Sequence, residues 1–242
     1  LRRAEKLREA VEEAGPLEKV AHLRFPDPAP CGRVPVTAEG LSKSYGSQEV
    51  FVDVDWAVDR GARVVVLGLN GAGKTTLLRI LAGIETPDTG AVAKGHGAKV
   101  GYYAQEHETL DPNASVLVNL LHSSADLAEQ EARNVLGSFL FSGETVEQPA
   151  GTLSGGEKTR LALAMLVVSG ANVLLLDEPT NNLDPASRDE VLAALGRYAG
   201  AVVLVTHDHG AVGALDPERV LILPEGDEDL WRDDYLELVE LA

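Results

Sequence analysis

Gly68-Leu69-Asn70-Gly71-Ala72-Gly73-Lys74-Thr75 decides the reading of this chain. A glycine, four residues and then Gly-Lys-Thr is the pattern of a phosphate-binding loop, provided that it joins a strand to a helix. The flanks supply that context. Residues 64–67, Val-Val-Val-Leu, predict a central strand buried on both faces. Residues 74–82 predict a helix. Glycines permit the tight turn and let the backbone approach phosphate oxygens. Successive N–H groups then form an anion nest, reinforced by the positive end of the helix. Gly68, Asn70, Gly71, Ala72, Gly73, Lys74, Thr75 and Thr76 are therefore candidate nucleotide contacts. Lys74 would place a point charge against the β- and γ-phosphates, and the Thr75 hydroxyl would ligate Mg²⁺.

About a hundred residues on, Val173-Leu174-Leu175-Leu176-Asp177-Glu178 is an apolar strand that ends in two carboxylates. The carboxyl edge of a parallel sheet is where such folds bind ligands. Asp177 would hold Mg²⁺, directly or through water. Glu178 would orient and polarise an attacking water. Alone, this pair reads equally well as a solvated strand end; the phosphate loop upstream tips the reading to function.

The rest of the chain fits one α/β domain with a mostly parallel sheet. Val50, Val52, Val54, Trp56 and Val58 alternate with mostly polar residues and predict a half-buried antiparallel-type strand. Further strands are expected at 99–103 and 202–205. Helices are expected within 113–142 and at 161–168, 185–198, 208–214 and 231–241. Residues 24–35 carry four prolines and read as a loop or extended linker. Residues 1–14 have helical spacing. They read either as a solvated helix end or as the tail of a long linker from an upstream domain.

Composition limits the function classes. The formal net charge is −17, which repels phosphate backbones at long range and argues against direct grip on nucleic acid or an anionic membrane. No apolar run approaches the roughly 18 residues that span a bilayer. Cys31 is the single cysteine, so no internal disulfide can form; a reducing, cytoplasmic setting fits. The chain opens on Leu1, so a piece of a longer protein is expected.

Taken together, the motifs resemble the ATP-binding cassette (ABC) family. Leu153-Ser154-Gly155-Gly156-Glu157-Lys158 is similar to its signature motif, and Asp177-Glu178-Pro179-Thr180 follows at the expected distance. Asn181-Asn182-Leu183-Asp184 resembles the D-loop. Gln105 resembles the Q-loop glutamine, His207 the switch histidine, and Tyr45 the aromatic that stacks on adenine. The resemblance implies a P-loop NTPase fold with a mostly parallel core sheet, an antiparallel β-subdomain and a small helical subdomain at about 106–152. It implies ATP and Mg²⁺ as ligands, with Thr75, Gln105 and Asp177 at the metal. Glu178, His207 and Gln105 would be the catalytic set. Ser154, Gly155 and Gly156 would form a second anion site facing the ATP of a partner cassette. Two head-to-tail cassettes would sandwich two ATPs, so that one cassette alone has half of each site.

The finer resemblance is to the ABC-F subfamily, proteins with two cassettes joined by a helical linker. The stretch between Gln105 and Leu153 is short, Glu157 stands where transporters more often have Gln, and Asp-Glu-Pro-Thr-Asn-Asn-Leu-Asp has the ABC-F form. Tyr102-Tyr103-Ala104-Gln105-Glu106-His107 with Leu110-Asp111-Pro112 resembles the second cassette of these proteins. Leu23-Arg24-Phe25-Pro26 resembles their linker's end. On this basis residues 1–33 would be the linker's exit and 34–242 the cassette. A ribosome-associated ATPase is implied, acting on translation or in ribosome protection against antibiotics, with RNA contacts mainly through the linker. Its partner would be an N-terminal cassette of the same parent chain or a second copy. The alternative is the ATPase subunit of a membrane transporter; a third reading is an ATP-bound structural clamp. One departure stands out: where ABC-F proteins usually read His-Asp-Arg, this chain has His207-Asp208-His209-Gly210.

Overall fold

The computed structural model describes residues 27–104 and 109–239. Two sheets organise them. Strands β1 (Val36–Tyr45), β2 (Gln48–Val58) and β4 (Thr89–Lys94) form an antiparallel sheet in the order β2-β1-β4. The second sheet contains β3 (Arg63–Leu67), β5 (Val100–Tyr103), β6 (Val173–Asp177), β7 (Ala201–Val205), β8 (Arg219–Ile222) and β9 (Asp227–Leu230). Its order is β5-β6-β7-β3-β8-β9, parallel throughout except where β9 pairs with β8. The helices are α1 (Lys74–Ala82), α2 (Val116–His122), α3 (Glu129–Ser138), α4 (Gly155–Val168), α5 (Pro185–Arg197), α6 (His209–Leu215) and α7 (Leu236–Val239).

The central strands read as unbroken apolar runs because both faces of the sheet are covered. Every residue of β6 and β7 is buried. Alternation then divides each strand between two cores. Val65, Leu67, Leu174, Leu176, Val202 and Leu204 pack with α2 to α6 on one side. Val64, Val66, Val173, Leu175 and Val203 pack with α1 and the antiparallel sheet on the other. Leu77, Leu78 and Leu81 of α1 are fully buried. Each is worth roughly 1.5–3 kcal/mol of transfer free energy, which anchors α1 and the loop before it to the sheet. Helix α4 carries Leu161, Ala162, Leu163, Ala164 and Leu166 in the core. It is apolar on most sides because it lies between the sheet and the small helices.

Sequence periodicity misplaces one face of β2. Val52 is 48% exposed, and Phe51 is buried in its stead. The pairing steps from Leu41↔Val54 to Lys43↔Phe51 and then to Ser44↔Glu49, so β2 twice spends one residue more than β1. Each such bulge flips the alternation. The expected terminal helix starts later than Trp231: a 3₁₀ turn at Asp233–Tyr235 leads into α7 at Leu236. Strands β4, β8 and β9 lack the expected apolar alternation. β9 is Asp-Glu-Asp-Leu and wholly exposed, a poor strand former held at the edge by its backbone ladder to β8.

Candidate functional site

The end of β3 and the start of α1 build the phosphate loop. Gly73, with φ 94°, is the N-cap of α1, and no side chain caps that helix start. The first-turn N–H groups are thus left for a ligand. A Cβ on Gly73 would run into the side chains of Val50 and Phe51, so β2 presses on the loop where only glycine fits. Gly68 is similarly enclosed: a Cβ there would meet the Leu223 carbonyl oxygen at 2.7 Å. Lys74 folds back over the loop, its Nζ donating to the carbonyl oxygens of Gly68 at 2.7 Å and Leu69 at 3.4 Å. Burial lowers the Lys74 pKa below its ordinary 10.5, and the carboxylates of Glu178 and Asp177 oppose that drop.

These groups face one cavity of about 730 Å³, within the ~300–1,000 Å³ range of small-molecule sites. Asn70, Gly71, Gly73, Lys74, Thr75 and Thr76 line one side of it. Asp177, Glu178 and His207 line another, and Tyr45 stands at its margin with Gln48 and Val50. Gly68 and Ala72 do not line it: Ala72 is buried, and Gly68 lies behind Lys74 as a hydrogen-bond acceptor. Gln105 lies outside the described residues, and with it the Glu106-His107 pair.

Asp177 and Glu178 end β6 almost fully buried, at 1% and 8% exposure. Glu178 holds a left-handed φ of 51°, which costs a non-glycine residue about 1–3 kcal/mol unless its surroundings enforce it. Here they do. Its N–H donates to the Val205 carbonyl at 2.9 Å. Its Oε1 accepts from the His207 N–H at 3.1 Å and lies 2.8 Å from His207 Nδ1. Thr206 Oγ1 donates to Oε2 at a longer 3.3 Å. The carboxylate and the imidazole are therefore brought together at the adjoining ends of β6 and β7.

Tyr45 is 52% exposed. Its hydroxyl donates to Glu85 Oε1 at 2.5 Å, and the Lys43 ammonium lies 5.3 Å from its ring centroid. Glu85 also pairs with Lys43 at 3.1 Å and Arg79 at 3.5 Å. Sequence reading did not single out Gln48, Val205 or Glu85, which carry no motif and reach the site only by folding.

Ser154, Gly155 and Gly156 are not part of this cavity. Ser154 caps α4 in a reciprocal box: its Oγ accepts from the Glu157 N–H, and Glu157 Oε2 accepts from the Ser154 N–H at 2.8 Å. Hydrogen bonds from Ser154 hold the Glu157 carboxyl below its ordinary pKa. Ser154 and Gly155 are exposed, and a Cβ on Gly156 would sit 3.1 Å from the Asn182 carbonyl.

The donor set suits a hard divalent cation. Thr75 contributes a hydroxyl and Asp177 a carboxylate to the lining of the same cavity. Mg²⁺ typically takes one or two such protein oxygens and completes its shell with phosphate and water.

Known proteins resemble this chain in sequence and in fold. The family model described as ABC transporter matches residues 51–181. The chain is 36% identical over 228 residues to the energy-dependent translational throttle protein EttA of Mycobacterium tuberculosis, covering 90% of this chain and 40% of that protein. It is 31% identical over 239 residues to ABC transporter F family member 5 of Arabidopsis thaliana, covering 96% and 34%. The chain thus spans less than half the length of these relatives. Among solved structures, the ATP-binding cassette MJ0796, a dimer bound to ADP and Pi, superposes with a TM-score of 0.68 at 23% identity, covering 81% of this chain and 99% of that one. That likeness bears on the fold alone. With the phosphate loop, the acidic strand end and the exposed α4 cap in place, the chain belongs to the ABC transporter family, as an ATP-binding cassette of the ABC-F type.

Proposed function

We propose that residues 34–242 form a cassette that hydrolyses ATP when a second cassette docks head-to-tail on it. One observation carries the reading. The cavity gathers the phosphate loop, both carboxylates and His207, whereas the Ser154 cap is exposed and outside it. A cap displayed in this way supports completion of a neighbour's site rather than of its own.

In the proposed reaction the loop N–H groups and Lys74 hold the triphosphate, and Thr75 and Asp177 would hold Mg²⁺. When bound there, the cation would supply charge neutralisation at the phosphates. Glu178 orients the water that attacks the γ-phosphorus and receives its proton. The bond to the β-phosphate oxygen breaks, leaving ADP and phosphate. His207 holds Glu178 and is placed to contact the γ-phosphate. Gln105 is assigned to the metal and the attacking water on resemblance alone.

The expected outcome for Glu178→Gln is a loss of turnover of about 10²–10⁴-fold, the usual contribution of a general base, with ATP affinity within a few-fold of native. An ATP-dependent dimer should accumulate, read by sedimentation. Unaltered hydrolysis would refute the role of Glu178.

At the scale of the whole protein, likeness to a translational throttle protein and to an ABC transporter F family member supports an ABC-F role in translation. We extend this to a cytoplasmic, ribosome-associated ATPase in which residues 1–33, of which 1–26 lie outside the described residues, are the exit of the linker and the partner cassette lies in the parent chain or a second copy. Among the described residues no helix is long and apolar enough to cross a membrane. Pelleting the Glu178→Gln protein with ribosomes, and separately with membranes, in the presence of ATP tests this. Recovery with membranes alone would favour the transporter alternative.

A further inference from the structure

The turn that carries His207 is tied to α5 by a two-pronged ion pair. Asp208 follows His207 directly. Its Oδ2 accepts from Arg188 Nε at 2.8 Å, and its Oδ1 accepts from Arg188 Nη2 at 2.6 Å. Thr180 Oγ1 donates to Oδ2 at 3.1 Å, and the Gly210 N–H donates to Oδ1 at 2.8 Å. Asp208 is thus both the N-cap of α6 and the seat of the Arg188 fork. Planar fork-to-carboxylate pairing fixes orientation as well as distance. The Asp208 side chain is only 17% exposed, unlike an ordinary surface pair.

Gly210 gives independent support. A Cβ there would collide with Arg188 Nη2 and come 3.1 Å from Asp208 Oδ1. A side chain at 210 would therefore have to displace the guanidinium from the place it occupies beside the glycine. Gly210 is thus what leaves room for an arginine arriving from another helix.

The same helix reaches toward the exposed α4 cap. Asp184 caps the start of α5 through the Ser187 N–H at 2.9 Å, and Asn182, just before it, abuts Gly156. We propose that Arg188 is a positioning residue: by gripping Asp208 it holds the 206–208 turn, and so sets His207 against Glu178 according to the position of α5. The inference rests on the reading of Glu178 and His207 as the hydrolytic pair. It adds a mechanical link from the α4 face to that pair.

The test compares Arg188→Ala, Arg188→Lys and Gly210→Ala in the full chain with its partner cassette. Amide exchange at His207 and Gly210, melting temperature, and kcat and KM for ATP are measured. Arg188→Ala should speed exchange at both amides and lower kcat about tenfold or more, with KM within twofold. Arg188→Lys, which keeps charge but not the fork, should fall between. Gly210→Ala should reproduce Arg188→Ala while Arg188 is still present. Native-like exchange at His207 in Arg188→Ala overturns the proposal, as does a kcat loss that merely follows melting temperature. The hydrolytic reading is scored on unmodified protein against Glu178→Gln. Its failure would leave the exchange result to decide the clamp by itself.

Discussion

Tyr45 is half exposed, yet its hydroxyl is held by Glu85 and its ring lies beside Lys43. On the proposed reading this ring, which lines the cavity, serves as a platform for a flat base. Stacking of a base on an aromatic side chain is worth roughly 1–3 kcal/mol. Tyr45→Ala should therefore weaken ATP binding about five- to a hundredfold and leave tripolyphosphate binding unchanged, as calorimetry would show. Asp208 provides a second prediction at this scale. Arg188 lowers its pKa from an ordinary 3.8 to about 2, against an opposing effect of burial and with help from the Gly210 amide and Thr180. A depressed folded-state value means stability that is fully present above about pH 4 and lost as pH falls toward 2. The shift corresponds to about 1–2 kcal/mol once solvent screening of the partly exposed Arg188 is allowed for. The gap in urea-unfolding free energy between native and Asp208→Asn protein should shrink from pH 5 to pH 2. A gap that widens over that range would refute the ion-pair account.

Elements divide into those that local pattern specifies and those that neighbours impose. Helix α4 is of the first kind: Ser-Gly-Gly-Glu encodes its own capping box. Removing an N-cap hydroxyl typically costs about 0.5–2 kcal/mol. Ser154→Ala should lose that much stability in chemical denaturation while the lone chain's ATP affinity stays native, because Ser154 lies outside the cavity. Weaker ATP binding by the isolated variant would show that the cap serves its own site. Strand β2 is of the second kind. Its Val-x-Val alternation reads cleanly, yet two bulges against β1 turn Val52 outward and Phe51 inward. Buried Phe51 then packs beside Gly73, so the bulge shapes the phosphate loop itself.

For the molecule as a whole, the exposed α4 cap lies outside the cavity that the phosphate loop lines, as the proposed sandwich of two cassettes requires. A net charge of −17 opposes the approach of two copies. At 0.15 M salt such long-range repulsion is screened beyond about 8 Å. Sedimentation of Glu178→Gln protein with Mg-ATP should thus show more dimer at 0.15 M than at 0.01 M salt. Adding Ser154→Ala should reduce the dimer at either concentration. A dimer indifferent to Ser154 would place the interface on another face.

The heart of the candidate site was legible in the amino acids because each part is written locally. A β-branched run, a glycine-rich loop and a helix lie end to end around Lys74, and an apolar run delivers Asp177 and Glu178 to the same sheet edge. Burial on both faces leaves such strands no polar alternation to confuse the reading. Tertiary structure alone decided the rest. Glu85 meets Tyr45 across 40 residues, and Arg188 meets Asp208 across 20. Neither pair leaves a periodic trace, since a through-space contact needs only one side chain of the right chemistry on each element. The edge strand β9 and the inverted face of β2 were hidden for a related reason: backbone ladders and bulges are set by the partner strand, not by the residues they carry.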